Sequence, residues 1–206
     1  MSVDEPDEMD GLEVSGCQRC PALCTSRQRI VNGVGDPEAA LLFVGEAPGQ
    51  SEDEQGEPFI GRSGAVLTAA LEENGLDRAA VRITNCVRCR PPDNRDPHVK
   101  ERANCRGYLD TEIELVDPAV IVTLGKVPGE QLLDRSLRVT AEAGSVMETR
   151  LGGQPRRVLI SLHPAATLYD PSQQARFEQA IATAAELAGV GDPSDDGSGQ
   201  ARLGEY

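Results

Sequence analysis

The chain has 206 residues, a formal net charge of −14, six cysteines and no tryptophan. That length suits one large domain and excludes two full ones, and the longest apolar stretch, near residues 41–44, is far too short to span a membrane. The first 13 residues carry six acids and no base, so they do not read as a targeting segment. A cytoplasmic protein without membrane attachment is therefore expected, and six cysteines in that reducing compartment favour metal ligation over disulfides.

Charge is unevenly spread. Residues 1–13 contribute −6 and residues 190–206 contribute −3, leaving −5 for the rest, and residues 86–106 hold six bases against three acids. Only two of the 20 basic residues are lysines. With the acidic tails, this composition points to a salt-adapted organism, where a Debye length of roughly 3 Å at 1 M screens the repulsion from DNA. The expected layout is an acidic disordered tail over 1–13, one domain over 14–189 and a second acidic tail over 190–206.

In chain order, residues 39–44 read as a buried strand broken at Gly45, and 61–74 as a helix with Val66, Leu67, Ala70 and Leu71 on one face, ending at Gly75. A second strand follows over 81–84. A long helix over 98–116 carries Cys105, Leu109 and Ile113 on one stripe. Residues 119–124 form a third strand, 127–133 a short helix, 137–150 an irregular hairpin, 158–162 a fourth strand and 173–187 a closing helix. Strands alternating with helices predict an α/β fold: three layers, α/β/α, around a central, mainly parallel four-stranded sheet.

Cys17-x-x-Cys20 and Cys86-x-x-Cys89 are two chelating pairs, and spacing alone favours a zinc ribbon. Cys86, however, directly follows a strand, and Cys105 on the next helix is an alternative fourth ligand. Four thiolates suit zinc or an iron–sulfur cluster equally. Cys24 reads as a small buried hydrophobe.

The strings Cys17-x-x-Cys20-x-x-Leu23, Val44-Gly45-Glu46-Ala47-Pro48-Gly49, Glu52-Asp53, Gly56-x-Pro58-Phe59-x-Gly61-Arg62-x-Gly64, Thr84-Asn85-x-Val87-x-Cys89-Arg90-Pro91-Pro92, Asn94-Arg95, Leu124-Gly125 and His163-Pro164-Ala165-Ala166 closely resemble family 4 (type 4) uracil-DNA glycosylases. The resemblance spans about residues 17–185. It implies a uracil-DNA glycosylase-like fold, uracil-containing DNA as substrate and excision of uracil to leave an abasic site. It also implies a 4Fe-4S cluster on Cys17, Cys20, Cys89 and Cys105, in place of the pairing that spacing favours. A monomer is expected, with a sliding clamp left open as a partner.

The residues suit that chemistry. A flipped base needs a ring to stack on and an amide to read its edge; Phe59 and Asn85 are the candidates, over a floor of Gly45, Glu46 and Ala47. Asn85 offers an acceptor and two donors, matching uracil N3–H and O4 and mismatching cytosine. His163, at a turn after the fourth strand, is the expected donor to the departing uracil. Glu46 is the expected group that orients water or stabilises the cationic sugar; better-known uracil glycosylases place an aspartate one position later, where this chain has Ala47. Glu52 and Asp53 are expected to cap the following segment, and His98 to lie at the surface. Arg88, Arg90 and Arg95 are expected to hold phosphates, and Leu168 to wedge into the duplex. Two other readings are a noncatalytic DNA- or nucleotide-binding protein with a structural four-cysteine metal site, and an electron-transfer protein.

Overall fold

The structure is a computed structural model that describes residues 9–191. Apolar β-rich runs alternate with amphipathic stretches, and each run becomes a strand followed by a crossover helix. β1 (Met9–Asp10) and β2 (Glu13–Val14) form a small hairpin, followed by α1 (Pro21–Ser26), β3 (Val34–Gly35), β4 (Leu41–Gly45), α2 (Gln50–Gln55), α3 (Arg62–Glu73), β5 (Arg82–Asn85) and α4 (Val99–Val116). Then come β6 (Val120–Leu124), α5 (Lys126–Leu133), α6 (Val139–Glu142), β7 (Val146–Leu151), β8 (Gln154–Ser161), α7 (Ala165–Tyr169) and α8 (Gln174–Ala188).

The main sheet has strand order β3-β5-β4-β6-β8-β7. Its inner four strands run parallel, and β3 and β7 close the edges antiparallel. The inner strands are the four expected from sequence; the two edge strands are additional. Leu41 and Phe43 pack with α3 and α8 on one face, whereas Leu42 and Val44 pack with α1, α4 and α5 on the other. Burial on both faces is why these strands read as continuous apolar runs rather than alternating ones. β5 and β6 flank β4 on opposite sides, so the chain reverses its winding direction at the C-terminal end of β4, where open α/β sheets leave a ligand crevice.

Two expectations are corrected. Residues 137–150 are not one hairpin: α6 comes first, and β7 pairs with β8 through Gly152-Gly153, whose positive φ values of 57° and 74° fit a two-residue turn. β8 accordingly begins at Gln154. Residues 9–13 are not a tail but part of the β1–β2 hairpin, anchored where Arg88 donates to the Leu12 carbonyl at 3.1 Å and the Val14 amide donates to Asn32 at 2.9 Å. Of the tail expected over 190–206, Val190 packs against the core and its amide donates to the Ala185 carbonyl at 3.0 Å; residues 1–8 and 192–206 lie outside the described residues. Among the described residues no helix is long and apolar enough to cross a membrane.

Candidate active site

At the C-terminal edge of the sheet, the loops after β4, β5 and β8 enclose a cavity of about 260 Å³. Glu46, Ala47, Phe59, Asn85, Asp96 and His163 all line it. The ladder between β4 and β5 runs into the site: Gly45 is the register partner of Asn85, the Cys86 amide donates to the Gly45 carbonyl at 2.9 Å and the Val87 amide to the Glu46 carbonyl at 3.0 Å. The floor of the pocket is thus continuous with the sheet.

Phe59 is held by its surroundings rather than by local preference. Its φ of 54° is left-handed, a conformation that costs a non-glycine residue on the order of 1 kcal/mol. A Cβ on Gly45 would lie 2.5 Å from the Phe59 ring and would also strike Asn85 Oδ1, while one on Gly64 would overlap the Phe59 carbonyl. Glu52 accepts from the Ile60 and Gly61 amides at 3.2 and 2.9 Å, and Arg78 donates to the Pro58 carbonyl at 2.5 Å. Gly45→Ala should displace the ring or the amide and slow any reaction on a bound base by about 100-fold, the usual consequence of a 1 Å misplacement. Unchanged single-turnover kinetics in a folded Gly45→Ala protein would refute this packing argument.

Asn85 closes the pocket beneath the ring. It is buried, and its Oδ1 has no hydrogen-bond partner. Buried polar atoms are rarely left unsatisfied, so this acceptor marks where a ligand donor fits.

His163 faces Phe59 across the cavity, with ring centroids 5.8 Å apart and planes at 34°. The Ala165 amide donates to His163 Nδ1 at 3.1 Å, which makes Nδ1 an acceptor and leaves the proton on Nε2. Burial lowers its pKa to about 4, with the Glu52 charge opposing. The ring is therefore a neutral Nε2–H donor at physiological pH. Glu46 shifts the other way: burial first, then the charge of Asp96 and a hydrogen bond with its side chain, raise the carboxyl to about 7, against the opposing charge of Arg102.

The expected phosphate track is largely committed elsewhere. Arg88 is 2% exposed: it pairs with Glu112 Oε2 at 2.8 Å and donates to Asn32 at 2.6 Å, so it is a core residue and not a phosphate contact. Arg95 forms a two-pronged bond with Glu101 at 2.8 and 2.7 Å at the rim of the cavity, and Arg90 bonds Asn94 at 2.7 Å. Leu168 is 39% exposed on α7 beside Tyr169 at 87%, and His98 is exposed as expected. Asp53 does not cap the segment after it. Fully buried, it accepts from the Gln28 and Arg29 amides at 2.9 and 3.1 Å, tying α2 to the loop after α1. Glu52 likewise holds the Phe59 loop.

Cys17, Cys89 and Cys105 share one buried cluster with Cys20 packed against it, and all six cysteines are free thiols. Thiols 17, 20, 89 and 105 feel one another's charge, and burial raises the pKa of Cys89 to about 11 and also raises those of Cys20 and Cys105. Polar groups surround them: Arg27 Nη1 reaches Cys89 Sγ at 2.9 Å while Nη2 holds the Cys17 carbonyl at 2.7 Å, Asn104 reaches Cys20 Sγ at 3.3 Å, and the Arg88 amide reaches Cys105. Cys86 is fully buried and its thiol is pushed up by that burial. Cys24 is half-buried, its Sγ 3.7 Å from the Cys17 carbonyl. Among the described residues no three His, Cys, Asp or Glu side chains are disposed to hold a metal ion.

An α/β/α sheet with a base-sized cavity at its switch point defines a class, and the family model for the uracil DNA glycosylase superfamily matches residues 32–185. A type-4 uracil-DNA glycosylase from Archaeoglobus fulgidus is 39% identical over 186 residues, covering 88% of this chain and 93% of that protein. One from Thermotoga maritima is 38% identical over 174 residues, covering 84% and 88%. A type-5 uracil-DNA glycosylase from Thermus thermophilus is 32% identical over 151 residues, covering 58% and 68%. The chain belongs to the uracil-DNA glycosylase superfamily and, within it, to the type-4 family.

Sequence reasoning missed Asp96, Glu52, Arg78 and Arg27 as parts of these sites. Their contacts are made to residues distant in sequence or to backbone groups, which no local spacing displays. Asp96 sat next to Asn94-Arg95 and before a proline, and Glu52 stood in a quoted motif but was read only as a cap for the following segment.

Proposed function

We propose that the protein is a DNA repair glycosylase that takes uracil out of the DNA stack and hydrolyses its N-glycosidic bond, leaving an abasic site. The observation that carries this reading is the buried, unpartnered Oδ1 of Asn85 in a cavity walled by Phe59 and His163. Uracil N3–H supplies the missing donor, and the Asn85 amide N–H donates to O4; cytosine offers an acceptor at N3 and a donor at position 4, so both contacts fail. Phe59 stacks on the ring. As the C1′–N1 bond breaks, its electron pair moves onto uracil N1 and O2, where the neutral His163 donates a hydrogen bond from Nε2–H to the growing charge and keeps its proton. Water then bonds to the oxocarbenium-like C1′, with Glu46 orienting it. A cytoplasmic monomer is the form we assign, with Arg90, bonded to the cavity-lining Asn94, and Leu168 as the wedge on the DNA side.

Incubation with an end-labelled oligonucleotide containing one uracil, followed by alkali, should give scission at that position; binding without scission would favour the noncatalytic reading. Asn85→Asp should excise uracil more slowly by about tenfold or more, because a donor to O4 becomes an acceptor and a carboxylate faces the developing anion. Unaltered kinetics in that variant would show that Asn85 does not read the base.

We further assign Cys17, Cys20, Cys89 and Cys105 as the ligands of a 4Fe-4S cluster. The fit rests on the donor set: three buried thiols and one half-buried thiol, mutually coupled, with N–H groups from Arg27, Asn104 and Arg88 aimed at their sulfurs as thiolates require. Cys17 and Cys20 before α1, Cys89 after β5 and Cys105 on α4 would hold the cluster, which would supply a cross-link between those segments. Anaerobically purified protein should be brown with about four irons per chain. Serine at any of the four positions should remove colour and stability together, and serine at Cys24 or Cys86 should not. Stoichiometric zinc in native protein would overturn the assignment.

A further inference from the structure

Between the first turns of α4 and the end of α5 the surface folds in as a groove of about 510 Å³, whose lining includes Arg102, Arg106, Glu130, Gln131, Asp134 and Arg135. Two polar atoms of these side chains are buried and have no hydrogen-bond partner: Arg102 Nε, a cationic donor, and Gln131 Oε1, an acceptor. Buried polar atoms are almost always satisfied, by protein, water or a ligand. The other cations of the groove are already engaged. Arg106 pairs with Asp110 at 2.7 Å and donates to the Gln131 carbonyl at 2.5 Å, and Arg135 pairs with Glu142 at 2.6 Å. Of the two acids, Glu130 accepts from the Leu137 amide at 3.1 Å and faces Lys126 at 3.7 Å, while Asp134 is exposed to solvent. Among the described residues the Arg102 guanidinium forms no ion pair.

The groove also continues from the base pocket. Pro91, Asn94, Arg95 and Asp96 wall that cavity on the segment leading into α4, and one turn into the helix the Arg102 amide donates to the His98 carbonyl at 3.0 Å. We propose that this groove is a phosphate site for the DNA substrate: the Arg102 guanidinium donates to a backbone phosphate beside the extruded nucleotide, and Gln131 Oε1 takes a water ordered by that phosphate. A planar, permanently charged guanidinium matches phosphate oxygens. The contact gives grip without reading sequence, and it supplies from α4 the cation that Arg88 keeps in the core. The inference rests on the glycosylase reading above.

The test is binding across a salt series to a duplex carrying one non-cleavable, 2′-fluorinated deoxyuridine, and to duplexes in which one phosphate at a time beside it is a neutral methylphosphonate. Arg102→Gln should lower the slope of log affinity against log salt by about 0.9 and weaken binding several-fold at low salt. Arg102→Lys keeps the charge and should keep most of the slope, and Arg135→Gln, whose guanidinium is engaged by Glu142, should keep all of it. One methylphosphonate should weaken wild-type binding several-fold and cost Arg102→Gln nothing further, the non-additivity of a direct contact. No such position in the wild-type scan, which depends on no variant, or an unchanged slope in a folded Arg102→Gln protein would overturn the proposal. Inorganic phosphate, compared with chloride at equal ionic strength, should compete with DNA for wild type and not for Arg102→Gln. Phosphate binding that needs Arg102 while the DNA slope stays put would overturn the DNA assignment in favour of a free anion. If Arg102→Gln loses the slope yet no protein excises uracil from a cleavable duplex, the phosphate site stands and the glycosylase reading is what has failed.

Discussion

His163→Ala is expected to slow single-turnover uracil excision by about two to three orders of magnitude, the loss typical of one preorganised donor to a developing anion. DNA affinity should hardly change, because the Nε2–H does its work only as charge reaches O2. The imidazole's low pKa has a second consequence, in stability. His163 titrates near 4 in the folded chain and near its ordinary 6.5 when unfolded, so between those values the unfolded chain binds the extra proton and stability falls as pH falls. His163→Ala should flatten that acid slope in thermal melts while abolishing most activity. Normal cleavage by the variant would shift leaving-group stabilisation to backbone amides of the turn after β4.

Glu112→Ala should be the most destabilising single change, by about 3–5 kcal/mol, as expected for removing one partner of a buried ion pair. Glu112 is fully buried on α4 and accepts from Arg82 Nε, Arg88 Nη2 and Thr84 Oγ1, each at 2.8 Å. Without it two guanidinium groups remain in the core uncompensated. For a chain of this length the melting temperature should fall on the order of 10 °C. Replacing Glu112 together with Arg82 and Arg88 by apolar residues of similar volume should recover much of the loss, since a buried ionic cluster is costly to assemble. A melting temperature within about 2 °C of wild type for Glu112→Ala would refute the role given to this cluster.

The inner sheet was legible in the sequence because burial on both faces leaves uninterrupted apolar runs such as Leu41-Leu42-Phe43-Val44, each stopped by a glycine or a polar residue at the pocket edge. The pocket residues were legible because they sit in those strand-end loops. Partners were not. Arg88 and Arg90 are two positions apart and look alike, yet Arg88 points to Glu112, 24 residues away on α4, while Arg90 bonds Asn94. Charge in a sequence announces a side chain and not its counter-ion. The β7–β8 hairpin did carry a signal, the Gly152-Gly153 pair, but the polar edge strand beside it lacks a strong alternating pattern.

Gly45, Phe59 and Gly64 occupy one another's space, and that has a bearing on how this site can be altered. A larger residue at Gly45 collides with the Phe59 ring and one at Gly64 with the Phe59 backbone, and a smaller residue at Phe59 leaves a void beside Gly45. No single step among the three reaches a working neighbour. Selection for a different base preference, in nature or in a library, would have to change these positions as a set or work from Asn85 and the loops beyond.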